Sequence, residues 1–296
     1  ELRRREAMTE HMGGAEKVAR QHSRGKMDAR ARLAALVDPG SFREIGKIAG
    51  RATYDADGAL LDLAASNFIF GRANINGRPV VASADDFTVR GGAADAALHR
   101  KFVQCEAMAH EMQLPLIRMI DGTGGGGSVK TLEDMGYTYI PHVPGWGPLI
   151  TTLETVRVVA LSLRPKAGQG AQRVVASHYS VMVRGLSQLF AAGPAVAAAI
   201  GDTLDREELG GVEVHARNGV VDDEVASEAE AFAAARRFLS YLPSSVHGLA
   251  ERTTPTDRVD RRDQSLLSAV PRDAKQVYSM RRILDGVVDK GSLFEM

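Results

Sequence analysis

A single cysteine, Cys105, stands in the 296 residues, so no internal disulfide and no multi-cysteine zinc or iron–sulfur site can form. It lies among Phe102, Val103 and Met108 in a helix-like stretch, where a buried structural thiol is expected rather than a reactive one. No apolar run reaches 18 residues, which excludes a long hydrophobic membrane helix. Net charge is also lacking: Lys+Arg and Asp+Glu both number 37, so bulk electrostatics favours neither nucleic acid nor an anionic membrane. No signal peptide is visible, and a cytoplasmic or similarly reducing compartment is expected. His99, His110, His142, His178 and His215 are scattered without ligand spacing, so no metal site is expected. No G-x-x-x-x-G-K-[ST] occurs, which excludes a P-loop. Ser177-His178 is adjacent in sequence, which is not triad geometry.

Short apolar runs alternate with helical patterns, the rhythm of an α/β protein. Asn74 to Arg78, ahead of Pro79-Val80-Val81-Ala82-Ser83, reads as the turn of a hairpin. Strands are expected at Leu114–Ile120, Val156–Leu163, Ser180–Val183 and Gln188–Phe190. Helices are expected over 94–112, around 147–155 and over 227–240, the last closing near Pro243. Residues 1–37 are charged and helix-prone with sparse apolar positions, which predicts a helical arm lying on a surface. Residues 244–275, rich in Arg and Asp, read as a linker.

Glycine turns follow three of the strands. They are Asp85 to Gly92, then Asp121-Gly122-Thr123-Gly124-Gly125-Gly126-Gly127-Ser128, then Pro165-Lys166-Ala167-Gly168-Gln169-Gly170, with a helix expected from Ala171. Such turns let backbone approach a ligand and aim unpaired N–H groups at negative charge, whether a phosphate or a thioester enolate. Four successive glycines lose roughly 0.5–1 kcal/mol each relative to alanine in ordering entropy, so a floppy surface loop is the bland alternative. The Gly122–Gly127 run has neither the position nor the acidic partner of a dinucleotide fingerprint. The pattern points to backbone-mediated oxyanion chemistry without a side-chain nucleophile or metal.

One phrase occurs twice. Asp38-Pro39-Gly40-Ser41-Phe42-Arg43-Glu44 is echoed by Asp289-Lys290-Gly291-Ser292-Leu293-Phe294-Glu295, and Arg30, Leu33 and Val37 recur as Arg281, Leu284 and Val288. A spacing of about 250 residues is too long for a solenoid and indicates two homologous domains.

With these phrases in hand, the chain resembles the carboxyltransferase (β) component of biotin-dependent acyl-CoA carboxylases, of the propionyl-CoA and methylcrotonyl-CoA type, over its N-terminal half. The phrases run in family order: Gly14-Ala15, Arg24-Gly25-Lys26 and Ala29-Arg30; Asp38 to Glu44; Asp86-Phe87-Thr88-Val89 with Gly91-Gly92; Thr123-Gly124-Gly125; Ala167-Gly168; Gly193-Pro194; and Glu207-Glu208-Leu209-Gly210-Gly211 with His215, Gly219-Val220 and Asp222.

The resemblance implies a crotonase-like spiral of ββα units, the first of two homologous domains. It implies an arm at 1–37, a carboxyltransferase N-domain at 38–243, and a linker with the start of a second domain at 244–296, the chain stopping where that domain would begin. It implies transfer of CO2 from carboxybiotin to the α-carbon (or vinylogous carbon) of an acyl-CoA through a backbone-held enolate, with this chain as the acyl-CoA half. Biotin would be carried on another protein or domain. Partners would be a biotin carboxyl carrier, a biotin carboxylase and a carboxyltransferase C-domain, in a hexamer-type oligomer. Gly124 and Gly125 become candidates for the oxyanion hole, Ala167 and Gly168 for the acyl-CoA side of the cleft, and Arg90, Gly91 and Gly92 for its wall. Arg24, Lys26 and Arg30 are candidates for the CoA phosphates, with a solvated basic face as the alternative. Gly126-Gly127 replaces the family's Ala-Arg, and Arg164, Lys166 and Gln169 stand in a loop that usually reads Gly-Pro-Cys-Ala-Gly-Gly-Ala. A decarboxylase using the same enolate, or a non-catalytic scaffold half-subunit, are the alternative functions.

Overall fold

The computed structural model describes residues 1–93, 99–122, 133, 136, 146–201, 203–252, 254–255 and 257–296. They fall into two units, Glu1–Leu249 and Ala250–Met296. Three helices lead the first unit: α1 (Leu2–Glu10), α2 (Ala15–His22) and α3 (Ala29–Leu36). Strands β1 (Arg43–Glu44), β2 (Gly50–Tyr54), β3 (Leu60–Ala65), β4 (Phe68–Ile75) and β5 (Arg78–Asp85) follow. Helices and strands then alternate as α4 (His99–Glu111), β6 (Leu116–Ile120), α5 (Trp146–Thr155), β7 (Val158–Ser162), β8 (Lys166–Ala167), α6 (Gln169–Val175), β9 (Tyr179–Val183) and β10 (Leu189–Phe190). Next come α7 (Pro194–Ala199), α8 (Arg206–Gly210), α9 (Val212–Arg217), β11 (Asp223–Val225) and α10 (Glu228–Ser240); α11 (Met280–Val287) belongs to the second unit.

The main sheet runs β1-β4-β5-β6-β7-β9-β11. β4 and β5 form the expected hairpin around Asn76-Gly77, both at positive φ (51° and 77°), the backbone that a tight two-residue turn demands. Asp38 secures that turn, its carboxylate accepting from the N–H groups of Asn76 (2.9 Å) and Gly77 (2.8 Å). From β5 onward the pairings β5–β6, β6–β7, β7–β9 and β9–β11 are parallel, so successive strands need helical crossovers and end at the same edge. Every residue of β6, β7 and β9 is buried, as expected of parallel strands covered on both faces. The expected strand at 188–190 exists, but pairs with β8 in a separate two-stranded ribbon.

By alternation Leu116, Arg118 and Ile120 share one face of the sheet. Leu116 packs with Phe70, Val81, Val158, Cys105 and Ala109, and Ile120 with Ala160, Val174 and Met182. Arg118 lies between, donating to Glu106 of α4 (2.9 and 2.8 Å) and to the Ala176 carbonyl after α6 (2.6 Å). On the other face Tyr179 stacks on Phe238 of α10 at 4.6 Å. Cys105 is buried as expected, and burial pushes its thiol pKa up.

Residues 1–37 depart from the expected surface arm. Leu33, Leu36 and Val37 enter the core, and α3 packs on β5 and α10. Arg32, which made that face look too polar to bury, is wholly buried because Asp121 and Glu228 neutralise it.

The repeated phrase is also a repeated local structure. α3 and α11 have eight residues each, closed by Val37 N–H on Leu33 O (3.1 Å) and Val288 N–H on Leu284 O (2.9 Å). Gly40 and Gly291 take φ of 70° and 74°, and Ser41 N and Ser292 N both lie 3.0 Å from their aspartate carbonyls. Arg30 pairs with Glu44 at 2.9 Å, and Arg281 pairs with Glu295 at the same sequence offset.

Removing one member of the buried Arg118–Glu106 pair leaves an uncompensated charge, a loss of about 3–5 kcal/mol. Glu106→Ala is expected to lower stability by that amount in urea denaturation, and by more than Thr151→Ala on the exposed side of α5.

Candidate active site

The three glycine turns are distant in sequence but leave three adjacent parallel strands, β5, β6 and β7, at one edge. Two carboxylates hold that edge together. Asp85, the last residue of β5, accepts from the backbone N–H of Asp121 (3.2 Å) and of Gly122 (3.1 Å), so the first turn is tied to the second. Arg173 of α6 approaches both Asp85 oxygens at 3.1 Å and brings in the element after the third turn.

Asp121 is wholly buried between two guanidinium groups. Arg32 of α3 donates to its Oδ2 and also binds Glu228 of α10, through Nε at 3.1 Å and Nη2 at 2.5 Å. Arg164 Nε lies 2.9 Å from Asp121 Oδ1, an ion contact not aligned as a hydrogen bond. The Arg164 guanidinium also sits 3.9 Å above the Phe87 ring. Burial disfavours the charge on Arg32, but the flanking carboxylates outweigh it and raise its pKa. Burial pushes the Asp121 carboxyl upward against the pull of Arg32 and Arg164.

Backbone packs on backbone at the first turn. A Cβ on Gly92 would come within 2.7 Å of Gly122 Cα, and Gly92 has φ +69°, so only glycine fits. Arg90 itself has φ +51°, a conformation costly for a side-chain-bearing residue. Buried Asp86, its pKa raised first by desolvation, binds Thr88 through N–H (2.9 Å) and Oγ1 (2.6 Å).

The predicted site residues divide four ways. Gly124 and Gly125 lie outside the described residues. Of the first turn's Arg90, Gly91 and Gly92, Gly92 packs on Gly122, and Gly91 faces the Phe87 ring. Ala167 pairs with Phe190, and the Gly168 N–H donates to Phe190 O (3.0 Å); Gly168 also caps α6, which starts at Gln169 rather than Ala171. Gly168, Phe190 and His215 line a cavity of about 270 Å³. Among the basic candidates, Arg30 is bound to Glu44, Arg24 is exposed, and Lys26 is half-buried with its pKa lowered, first by burial and then by Arg164. Sequence reasoning assigned no role to Asp85, Asp121, Arg32 or Glu228. Only the placement of Asp85 and Asp121 just after apolar strands hinted at one.

A family description reading carboxyl transferase domain matches residues 20–296. The chain belongs to that family. The alpha subunit of methylmalonyl-CoA decarboxylase from Veillonella parvula is 29% identical over 96% of this chain and 55% of its own length. The mitochondrial propionyl-CoA carboxylase beta chain of Homo sapiens is 30% identical, again over 96% of this chain, and 52% of its own. A transcarboxylase 12S structure, described as a hexamer with methylmalonyl-coenzyme A and methylmalonic acid bound, superposes with TM-score 0.81 at 28% identity, over 97% of this chain and 55% of that one. The chain thus spans about half the length of the relatives it matches, and it has the expected crotonase-like fold.

Lys166, in the third turn, is fully buried. Its Nζ donates to Ser162 Oγ (3.1 Å) and Arg164 O (2.7 Å), and burial lowers its pKa to about 7. An unfolded lysine keeps its proton to about pH 10.4, so above pH 7 the unfolded state binds more protons and folding stability rises with pH. Urea midpoints are expected to increase from pH 6.5 to 7.5, below the range in which unfolded Cys105 and Tyr179 titrate. Lys166→Met should flatten that rise, leaving the part from Lys101, whose pKa is lowered to about 8.

Proposed function

We propose that this chain supplies the acyl-CoA half of a biotin-dependent carboxyltransferase. The carboxyl group leaves the biotin ring nitrogen, the α-carbon of the acyl-CoA thioester forms the new carbon–carbon bond, and the α-proton passes to the biotin. The enolate formed on the way needs donors that are fixed before it appears, because such preorganised dipoles lower the barrier without reorganising. One observation carries this reading: three glycine turns stand side by side on adjacent parallel strands, and Asp85 holds the Gly122 N–H that opens the second of them. Gly124 and Gly125, two and three residues further on, are assigned to the oxyanion hole.

Ala167 and Gly168 line the acyl side, and Arg90, Gly91 and Gly92 form its wall. Carboxybiotin arrives as a tethered substrate on a biotin carboxyl carrier loaded by a biotin carboxylase, in a hexamer-type assembly of a cytoplasmic compartment. Among the described residues no helix is long and apolar enough to cross a membrane, and no cluster of metal-ligating side chains occurs. The domain reading is an N-domain at 38–243, with residues 1–37 as leading helices of which the third packs into its core, and a linker with the opening of a second crotonase-like domain at 244–296. The Arg30–Glu44 and Arg281–Glu295 pairs, at equal offsets after matching helices, support it. That second domain is the biotin-facing half.

The test combines this chain with its C-domain, carboxybiotin carrier and a panel of acyl-CoAs, and follows carboxylated product. Gly125→Val keeps the backbone N–H but displaces it from the oxyanion, and is expected to reduce kcat roughly 100–1,000-fold, the loss seen when one oxyanion donor is lost, with little change in KM for the thioester. Tight assembly without turnover on any acyl-CoA would sink the catalytic reading in favour of a scaffold.

A further inference from the structure

All three glycine turns meet at the Arg164 side chain. Arg164 opens the third turn, its Nε lies 2.9 Å from Asp121 Oδ1 at the start of the second, and its guanidinium sits 3.9 Å above the Phe87 ring of the first. Gly91 faces the same ring. Two residues further on, Lys166 Nζ donates to the Arg164 carbonyl (2.7 Å) and to Ser162 Oγ (3.1 Å). The backbone that carries Arg164 is thereby fixed from inside the protein.

What the guanidinium lacks is an acceptor. Arg164 is only 6% exposed, yet among the described residues it donates no hydrogen bond, and its buried Nε is left open. Asp121 Oδ1 beside it is equally open, while Arg32 has taken the other Asp121 oxygen and Glu228. Buried polar groups are almost always paired, so an open guanidinium at this depth marks a partner still to come. The neighbourhood is also short of negative charge. Arg164, Arg32, Lys26 and Arg24 face two carboxylates, Asp121 and Glu228. Burial first, and the neighbouring guanidinium groups after it, lower the pKa of both Arg164 and Lys26. Exposure grades outward from buried Arg164 through half-buried Lys26 to exposed Arg24, a path by which an anion can enter.

We propose that Arg164, with Lys26 beside it, binds a carboxylate on the acyl group of the thioester, one that is kept through the reaction and not transferred. The inference rests on the acyl-CoA reading and narrows its substrate to a dicarboxylic acyl thioester. A guanidinium fork pairs with a planar carboxylate through two parallel N–H···O bonds, and Arg164 has its fork uncommitted on a fixed backbone. The kept and the transferred carboxyl differ in what a cation does to them. A carboxyl in transfer passes through uncharged CO2, so a cation gripping it stabilises the ground state more than the transition state and slows the step. A carboxylate at the far end of the acyl chain holds its charge throughout, and binding it anchors the chain while the α-carbon reacts. Arg164 and Lys166 also stand where the family's usual loop has uncharged Gly and Cys, and a neutral acyl group has no use for them.

Calorimetric titration of the full chain with thioester pairs of matched length tests it: glutaryl-CoA against valeryl-CoA, and methylmalonyl-CoA against isobutyryl-CoA. The wild-type chain is expected to bind glutaryl-CoA at least about tenfold more tightly than valeryl-CoA, the scale of one charge-assisted hydrogen bond. Arg164→Gln should bring that ratio close to one, and Arg164→Lys, which keeps the charge without the fork, should restore part of it. The ratio is the readout because a general disturbance of the turn raises both Kd values together. An equal loss for both thioesters in Arg164→Gln makes Arg164 a structural partner of Asp121 alone and overturns the proposal. Equal wild-type affinity for glutaryl-CoA and valeryl-CoA, or a preference confined to methylmalonyl-CoA, overturns it too, whether or not the variants fold. Each of these outcomes leaves the acyl-CoA reading standing. Failure of the wild-type chain to bind any of the four thioesters overturns both.

Discussion

Two buried carboxylates at strand ends, Asp85 and Asp121, are what the rest of the structure depends on. Neither can be buried alone, because an isolated ion loses far more hydration than an apolar interior returns. Each therefore draws in partners from distant parts of the chain. Asp85 collects two backbone N–H groups and Arg173, and Asp121 collects Arg32 and Arg164. Satisfying these two groups brings α3, α6 and the ends of β5, β6 and β7 to one place. Glu228 extends the cluster to α10 through Arg32.

The same cluster fixes the backbone at the entry to the second glycine turn. Glycine turns are mobile by default, and donors that wander cannot stabilise a developing charge. Here the entry to the second turn is anchored on both sides: its N–H groups by Asp85, and the preceding side chain by two arginines. Gly92 packed on Gly122 adds a contact that no other residue could make.

Much of the fold was legible because its signals are local. Asn76-Gly77 between alternating apolar runs specifies a hairpin by turn chemistry alone, and Ser227 ahead of an amphipathic run marks the start of α10, where its hydroxyl accepts from the Glu230 N–H. The predominantly apolar runs of β6, β7 and β9 mark buried parallel strands. What failed was local as well. α3 carries Arg30 and Arg32 in eight residues and shows almost no apolar stripe, so periodicity argues against burial. It is buried because residues 89 and 196 positions away neutralise Arg32, a fact no window on the sequence contains. Likewise Leu189-Phe190 has the composition of a sheet strand, but its partner is the two-residue β8.

The sequence by itself determined the α/β class, the glycine turns and the repeat that links 30–44 to 281–295, because turn chemistry, periodicity and self-similarity are properties of neighbouring residues. It also carried enough ordered phrases to mark the carboxyltransferase family. Only the tertiary structure decided that three turns up to about 80 residues apart share one edge, since that follows from parallel pairing of β5, β6 and β7. It alone decided which cations are committed and which are open. Arg30 and Arg51 are both basic residues near the start of the chain, yet one ends on Glu44 and the other faces a groove. Charge pairing depends on distance in space, and the chain sets that distance only once it has folded.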